Sequence, residues 1–271
     1  MTRFALAGAT AVALAFLLLP ILALFLRVPP GTLLGQLGSE PAREALLVSL
    51  KTSLIAHALV LGIGTPVAHF LATHRFRGRR LAIAAIELPL VLPPAVAGIA
   101  LLAAFGRRGL LGDELEWLGI SLPFTQAAVV LAIVFVASPF YLRAAVAAFA
   151  AVDPALADAS RTLGAGRART FFRVAVPLAA AGLGAGSSLA FARGLGEFGA
   201  TIIFAGSFPG VTQTAPLAIY AQLDLDFDTA VALGALLVVV SAVLLAFVNL
   251  LPSWTRSPSS FPIPSGRSAS T

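Results

Sequence analysis

Arg193 and Glu197 stand four residues apart inside an otherwise apolar stretch, and they are the charged pair best placed to do chemistry. At i and i+4 they share one helix face. Counted from Leu178, Arg193 lies about 22 Å along such a helix. If the stretch spans a bilayer, that depth makes a lone charge costly, and pairing is the expected state. Two readings follow. The pair braces its helix as a structural salt bridge, or it lines a passage in which Arg193 faces an anion.

Other arrangements carry less chemistry. Gly194, Gly196 and Gly199 satisfy G-x-G-x-x-G. A dinucleotide site needs a strand before that motif, and here an apolar helix precedes it, so the glycines read as close-packing residues or a helix break. His57 and His69 lie twelve residues apart, about 18 Å along a helix, too far to share one metal, and His74 lies beyond them. All three read as polar packing residues. The sole lysine, Lys51, follows Leu46-Leu47-Val48-Ser49-Leu50, which has none of the glycines of a phosphate-binding loop. There is no cysteine, which excludes disulfides and thiolate metal sites. The spacing yields no catalytic set, no metal site and no cofactor. The chain reads as a non-enzyme without a nucleotide site of its own.

The elements that must hold these residues are membrane helices. Hydrophobic residues make up 59% of the chain and charged residues 11%, with a mean hydropathy of +0.96. Six stretches reach the ~20 residues a bilayer requires, at 4–26, 48–72, 82–105, 125–149, 178–204 and 229–251. The first is longer than the apolar core of a signal peptide and lacks a small-residue cleavage site, so it reads as a retained helix. The expected fold is therefore an all-α integral membrane protein of six transmembrane helices. Pro89, Pro93 and Pro94 sit inside the third stretch, where each removes a backbone donor. Broken helices at membrane depth line cavities or are buried in protein. A translocation path bounded by spans three and five, with Pro93, Pro94, Arg193 and Glu197 as its candidate residues, is the functional reading. An ordinary kink is the structural one.

Charge orients the bundle. Arg75, Arg77, Arg79, Arg80, Arg161, Arg167, Arg169, Arg173, Arg256 and Arg267 fall on one side, which is therefore expected to be cytoplasmic along with both termini. Glu40, Glu44, Asp113, Glu114, Glu116, Asp224, Asp226 and Asp228 fall on the other. Glu87 reads as interfacial, at the cytoplasmic start of span three. The net charge of +6 is thus topological. It implies attraction to anionic membrane lipid, not nucleic acid. The expected location is the plasma or inner membrane. The Ser- and Pro-rich segment 252–271 reads as a disordered cytoplasmic tail.

The loop at 153–177, DPALADASRTLGAGRARTFFRVAVP, is more than a connector. Asp153 can cap a helix and Pro154 suits its first position. Leu156, Ala159 and Leu163 fall on one apolar face over 154–163, and Gly164 supplies a stop. Such a helix docks a partner or lies on the membrane surface.

This loop resembles the EAA signature of ABC-importer permeases: E-A-A, three residues, G, nine residues, I-x-L-P. Asp158, Ala159 and Ser160 stand at E-A-A, Gly164 at the glycine, and Val174-Ala175-Val176-Pro177 at the end. Asp for Glu, Ser for Ala and Val for Ile and Leu are mild departures, and the spacing is intact. PLVLPP (89–94) with FGRRGLLG (105–112), and FARGLGEFGATIIFAG (191–206) with PGVTQTAPLAIY (209–220), resemble the permeases of molybdate and tungstate ABC transporters over roughly 45–250. Sulfate and thiosulfate permeases share much of the GEFGAT region and are the alternative.

The resemblance implies the type I importer fold. Residues 1–45 would form an N-terminal transmembrane helix and extracytoplasmic loop, and 46–251 the transmembrane core. It implies a homodimer, a cytoplasmic ATPase dimer and an extracytoplasmic oxyanion-binding protein. It also implies that the loop between spans four and five is the coupling helix, through Leu156, Asp158, Ala159, Ser160, Leu163 and Gly164. A proton-coupled secondary transporter working through Glu197 and Arg193 is the rival of another class. It leaves the loop spacing unexplained.

Overall fold

With no water in a hydrocarbon layer, a backbone must satisfy its own polar groups, and apolar runs of this length do so as helices. A computed structural model describes residues 3–250 as helices joined by short turns, and the expected tail at 252–271 lies outside the described residues. In chain order the helices are α1 (Arg3–Arg27), α2 (Pro30–Leu37), α3 (Glu40–Thr73), α4 (Arg79–Val91), α5 (Pro94–Phe105), α6 (Gly112–Trp117) and α7 (Gln126–Ala150). Then come α8 (Pro154–Thr162), α9 (Arg167–Thr170), α10 (Val176–Leu195), α11 (Gly199–Ala205), α12 (Ala215–Gln222) and α13 (Phe227–Leu250). A single π-helical turn, Phe171–Ala175, joins α9 to α10 without a break. Five of these segments are long and apolar enough to cross a membrane, and the pair α4–α5 makes a sixth if it counts as one span.

The third span, expected over 82–105 with a kink or break at its prolines, is two helices turned 118° from each other. The reason is local. Pro93 and Pro94 offer no backbone donors, and Leu92 before them is extended, with φ −72° and ψ 133°.

Contacts on either side establish that the bent pair still carries the chain across. Thr65 Oγ1 meets the Tyr141 hydroxyl at 2.6 Å, and the His69 ring lies 5.0 Å from that of Phe149. Positions later in α3 thus meet positions later in α7, so the two helices run parallel. Two parallel spans need a return crossing between them, and α4–α5 supplies it. A side chain at Gly182 would strike Ala148, and one at Gly186 would strike Ala144, so α10 runs antiparallel to α7. The molecule therefore has one face where α3 and α7 end, rich in arginine, and an opposite face where they begin, rich in acids.

Two other spans differ from the sequence expectation. The second, expected at 48–72, begins at Glu40 and runs 34 residues, about 51 Å, well beyond a hydrocarbon layer of about 30 Å. Its first turns carry Arg43 and Glu44, which an apolar-run criterion leaves out. The fifth, expected at 178–204, starts at Arg167 and is interrupted between Leu195 and Gly199.

The core sits among α3, α7 and α10 around Tyr141, with Phe204 of α11 beside it. It is dominated by alanine and glycine, which let helix backbones approach closely where lipid offers no hydrophobic drive. A Cβ at Gly64 would lie 2.9 Å from the Tyr141 ring, and one at Gly194 would lie 2.8 Å from Ile133.

Candidate functional site

Two interrupted spans meet in the half of the bundle nearer the acidic face. Pro93 caps α5 and Pro94 opens it. Opposite them, Gly199 opens α11, and a Cβ there would lie 2.5 Å from Pro94 Cβ. One turn along, a Cβ at Gly98 would meet Ile203 Cβ at 2.8 Å and the Ala200 carbonyl oxygen at 2.9 Å. The half-helices α5 and α11 thus pack side by side, backbone nearly on backbone. Pro93 and Pro94 themselves remain exposed on the single chain. Phe124 N–H reaches the Phe204 carbonyl at 3.4 Å, which ties the far end of α11 to the start of α7.

Arg193 and Glu197 stand at the second break. Arg193 closes the last turn of α10, and Glu197 lies between α10 and α11. Arg193 Nη1 is 2.8 Å from Glu197 Oε2, with side-chain exposures of 29% and 1%. This contact is close in distance but out of line for a hydrogen bond, so charge alone holds Oε2. Glu197 Oε1 accepts the Ala200 N–H at 2.8 Å, which caps α11. One buried carboxylate therefore joins the end of one half-helix to the beginning of the next. Both expected path pairs, Pro93–Pro94 and Arg193–Glu197, are brought to the same pair of breaks.

The segment after α11 stood out in the sequence only through its resemblance to the permease family, with no side-chain role read from it. Gly206 and Gly210 adopt φ of +70° and +69°, which turns the chain back into the bundle. Thr212 Oγ1 accepts the Phe208 N–H at 3.0 Å, and Ser49 Oγ accepts the Ala215 N–H at 2.7 Å. His57 Nε2 lies 2.9 Å from Ser187 Oγ, 130 positions away in sequence. Spacing along one helix gives no sign of such partners. His69 packs against the rings of Phe149 and Phe171, and His74 against Phe70.

The second region is α8, on the basic face. Asp153 Oδ1 accepts the Ala155 N–H at 2.9 Å, and Pro154 takes the first helical position. At the other end Gly164 has φ +84°, its N–H reaches the Arg161 carbonyl at 2.9 Å, and the Ala165 N–H reaches that of Ser160 at 3.1 Å. This paired closure is the Schellman stop that a left-handed glycine permits. Asp158 pairs with Arg161 at 3.5 Å on the exposed side. Ser160 Oγ lies 3.2 Å from Thr170 Oγ1 and fastens α8 to α9.

Leu156 is 47% exposed, and Ala159 is exposed beside it. Leu163 was expected inside the helix, but the helix ends at Thr162, and Leu163 is its cap, 89% exposed. Leu163 N–H still reaches the Ala159 carbonyl at 3.1 Å, and the left-handed Gly164 ends the helix directly after it. Glu87, expected at the interface, faces Arg143 at 3.7 Å.

Residues 42–257 match the family described as binding-protein-dependent transport system inner membrane component. The chain belongs to that family. This permease is a multi-pass inner-membrane protein of the type I importer fold. It is 45% identical over 234 residues to the molybdenum transport system permease protein ModB of Mycobacterium tuberculosis, covering 86% of this chain and 89% of that one. It is 34% identical over 241 residues to the probable sulfate transport system permease protein cysT of Chlorokybus atmophyticus, covering 88% and 84%. Its fold is also that of a bacterial alginate ABC transporter, solved in complex with an alginate pentasaccharide-bound periplasmic protein. The TM-score is 0.72 at 18% identity, over 91% of this chain and 92% of that one.

Proposed function

We propose that this permease forms the path for molybdate or tungstate import, as a homodimer driven by ATP hydrolysis on a separate cytoplasmic subunit. The observation that carries the substrate is the likeness to the mycobacterial molybdenum permease, at 45% identity against 34% for the sulfate relative. An extracytoplasmic oxyanion-binding protein delivers the anion on the acidic face. The basic face and both termini are cytoplasmic, which accords with the positive-inside tendency.

The path runs beside the α4–α5 and α10–α11 breaks, where Pro93 and Pro94 are open to a second copy. Arg193 and Glu197 brace this wall. A proton-coupled transporter would need Glu197 to exchange protons with water. Its carboxylate is instead buried, with one oxygen on Ala200 and the other against Arg193.

The helix α8 is the coupling helix, acting through Leu156, Asp158, Ala159, Ser160, Leu163 and Gly164. Its rigid caps and exposed Leu156 and Leu163 suit a groove on the ATPase. Deletion of the gene should impair growth that depends on a molybdenum enzyme at trace molybdate, with rescue at high molybdate. Failure of sulfur assimilation alone would assign the permease to sulfate instead.

A further inference from the structure

The turn between α3 and α4 holds a basic recess that transport leaves unused. Arg75, Phe76, Gly78, Arg79 and Arg80 line a hollow of about 300 Å³. Gly78, at φ +91°, turns the chain between Arg75 and the Arg79–Arg80 pair, and all three arginines line the same hollow. Arg79 Nε donates to the Leu71 carbonyl at 2.6 Å, which fixes one wall. The ion pairs among the described residues are Arg143–Glu87, Arg161–Asp158 and Arg193–Glu197, so no carboxylate neutralises the guanidiniums of the recess. Uncompensated guanidiniums around one hollow match the forked donor geometry that phosphate accepts.

We propose that this recess binds the phosphate of an anionic phospholipid of the cytoplasmic leaflet. The apolar surroundings select a lipid over a free anion. Phe70 and Phe76 pack with ring centroids 5.6 Å apart, and both are exposed, as is Leu81 in the first turn of α4. Aromatic and aliphatic side chains beside a cationic hollow, where two spans leave the bilayer, cover an acyl chain while the arginines hold its headgroup. A dissolved phosphate would have no use for them. The assignment rests on the basic face being cytoplasmic and is independent of which oxyanion is carried.

The test uses the intact permease in nanodiscs of phosphatidylcholine alone or with phosphatidylglycerol, and native mass spectrometry to count retained lipid. The wild type should retain phosphatidylglycerol in preference to phosphatidylcholine. Arg75→Gln with Arg80→Gln should lower that preference roughly thirtyfold, since each surface charge near anionic lipid contributes about fivefold. Arg75→Lys with Arg80→Lys should fall between, keeping charge but losing the fork. Arg167→Gln with Arg169→Gln, on the same face, should change it little.

A second measurement needs no variant. Phenylglyoxal labelling of the wild type should spare Arg75 and Arg80 in phosphatidylglycerol discs and modify them in phosphatidylcholine discs. Equal protection by inorganic phosphate in phosphatidylcholine discs would overturn the lipid in favour of a free anion. Unchanged lipid preference in the Gln pair would overturn the site. If that pair kept its lipid and lost capture of the ATPase subunit, the recess would be a protein-docking face.

Discussion

Glu197 Oε1 accepts the Ala200 N–H at 2.8 Å, across the break between α10 and α11. The same carboxylate faces Arg193 at 2.8 Å on the other side of the break. A single side chain thus fixes how two half-helices meet, and its loss removes a cap and an ion pair together. Glu197→Ala should destabilise the permease by about 2–4 kcal/mol, the range for stranding a buried charge, less the share that solvent screens at Arg193. Arg193→Ala with Glu197→Ala should cost less than the two single changes added, because no charge is then left unpaired. Thermal melting in detergent measures the cycle. Additive losses would show that the pair does not act as a unit.

Gly98 and Gly199 make the α5–α11 contact possible. Gly98→Ala and Gly199→Ala would each force a methyl against backbone or a rigid proline, at about 1–3 kcal/mol each. Gly62→Ala and Gly234→Ala, where a Cβ meets nothing within 4 Å, should be neutral or stabilise by about 0.5–1 kcal/mol through helix propensity. Melting temperatures of the four variants give the comparison. Equal behaviour in both pairs would mean that the close packing of α5 on α11 is not maintained in the membrane.

The α8 helix should transmit the ATPase cycle. Ala159→Asp puts a charge on the exposed face proposed to enter the ATPase groove. Gly164→Val forces a β-branched residue into φ +84° and breaks the Schellman stop. Neither touches a membrane span, so both variants should insert as dimers. Both should lose stimulation of ATP hydrolysis by loaded binding protein in the reconstituted complex. Wild-type stimulation in both would leave α8 as a surface helix.

The proposed orientation can be read with single cysteines, since the chain has none of its own. Cysteines replacing Asp113 and Asp226 should react with an impermeant reagent from outside, and one replacing Arg77 should not. The reverse pattern would overturn it.

Asp226 caps α13 on the acidic face. Its Oδ2 is 2.6 Å from Thr229 Oγ1, and its Oδ1 accepts the Thr229 N–H at 3.3 Å. The hydrogen bond from the Thr229 side chain, then that from its backbone, hold the Asp226 carboxyl below its ordinary value. Thr229 Oγ1 is also 2.9 Å from the Gln36 side-chain amide, and one hydroxyl proton cannot serve two acceptors. The Gln36 amide, turned over to donate, satisfies all three groups. A lowered folded value means that the stabilisation is fully present above the unfolded pKa and fades as pH falls through the folded one. Thr229→Val should therefore lower the melting temperature by a constant amount above about pH 5, and by a shrinking amount below about pH 4. A gap that stays constant into acid would show that the carboxylate is not the partner that matters.

The sequence by itself determined the membrane class, the approximate spans, the charge asymmetry between faces and the cap-and-stop of α8. These are properties of neighbouring residues: apolar run length, arginine placement, and Asp153-Pro154 against Gly164. It also placed breaks near Pro93–Pro94 and near Gly196–Gly199, because proline lacks a donor and glycine permits a turn wherever they occur.

Only the tertiary structure decided what the breaks do. That Pro94 lies against Gly199, that α3 runs parallel to α7, and that Ser49 caps residue 215 are relations between segments far apart in the chain. Helical periodicity reports which face is apolar, not which neighbour covers it. In a core of alanine and glycine the faces are nearly alike, so packing and register have to choose. The helix-fixing half of the Arg193–Glu197 alternative became visible in the same way. The i, i+4 spacing foretold the ion pair, but the Ala200 cap required α11 to begin where Pro94 lets it.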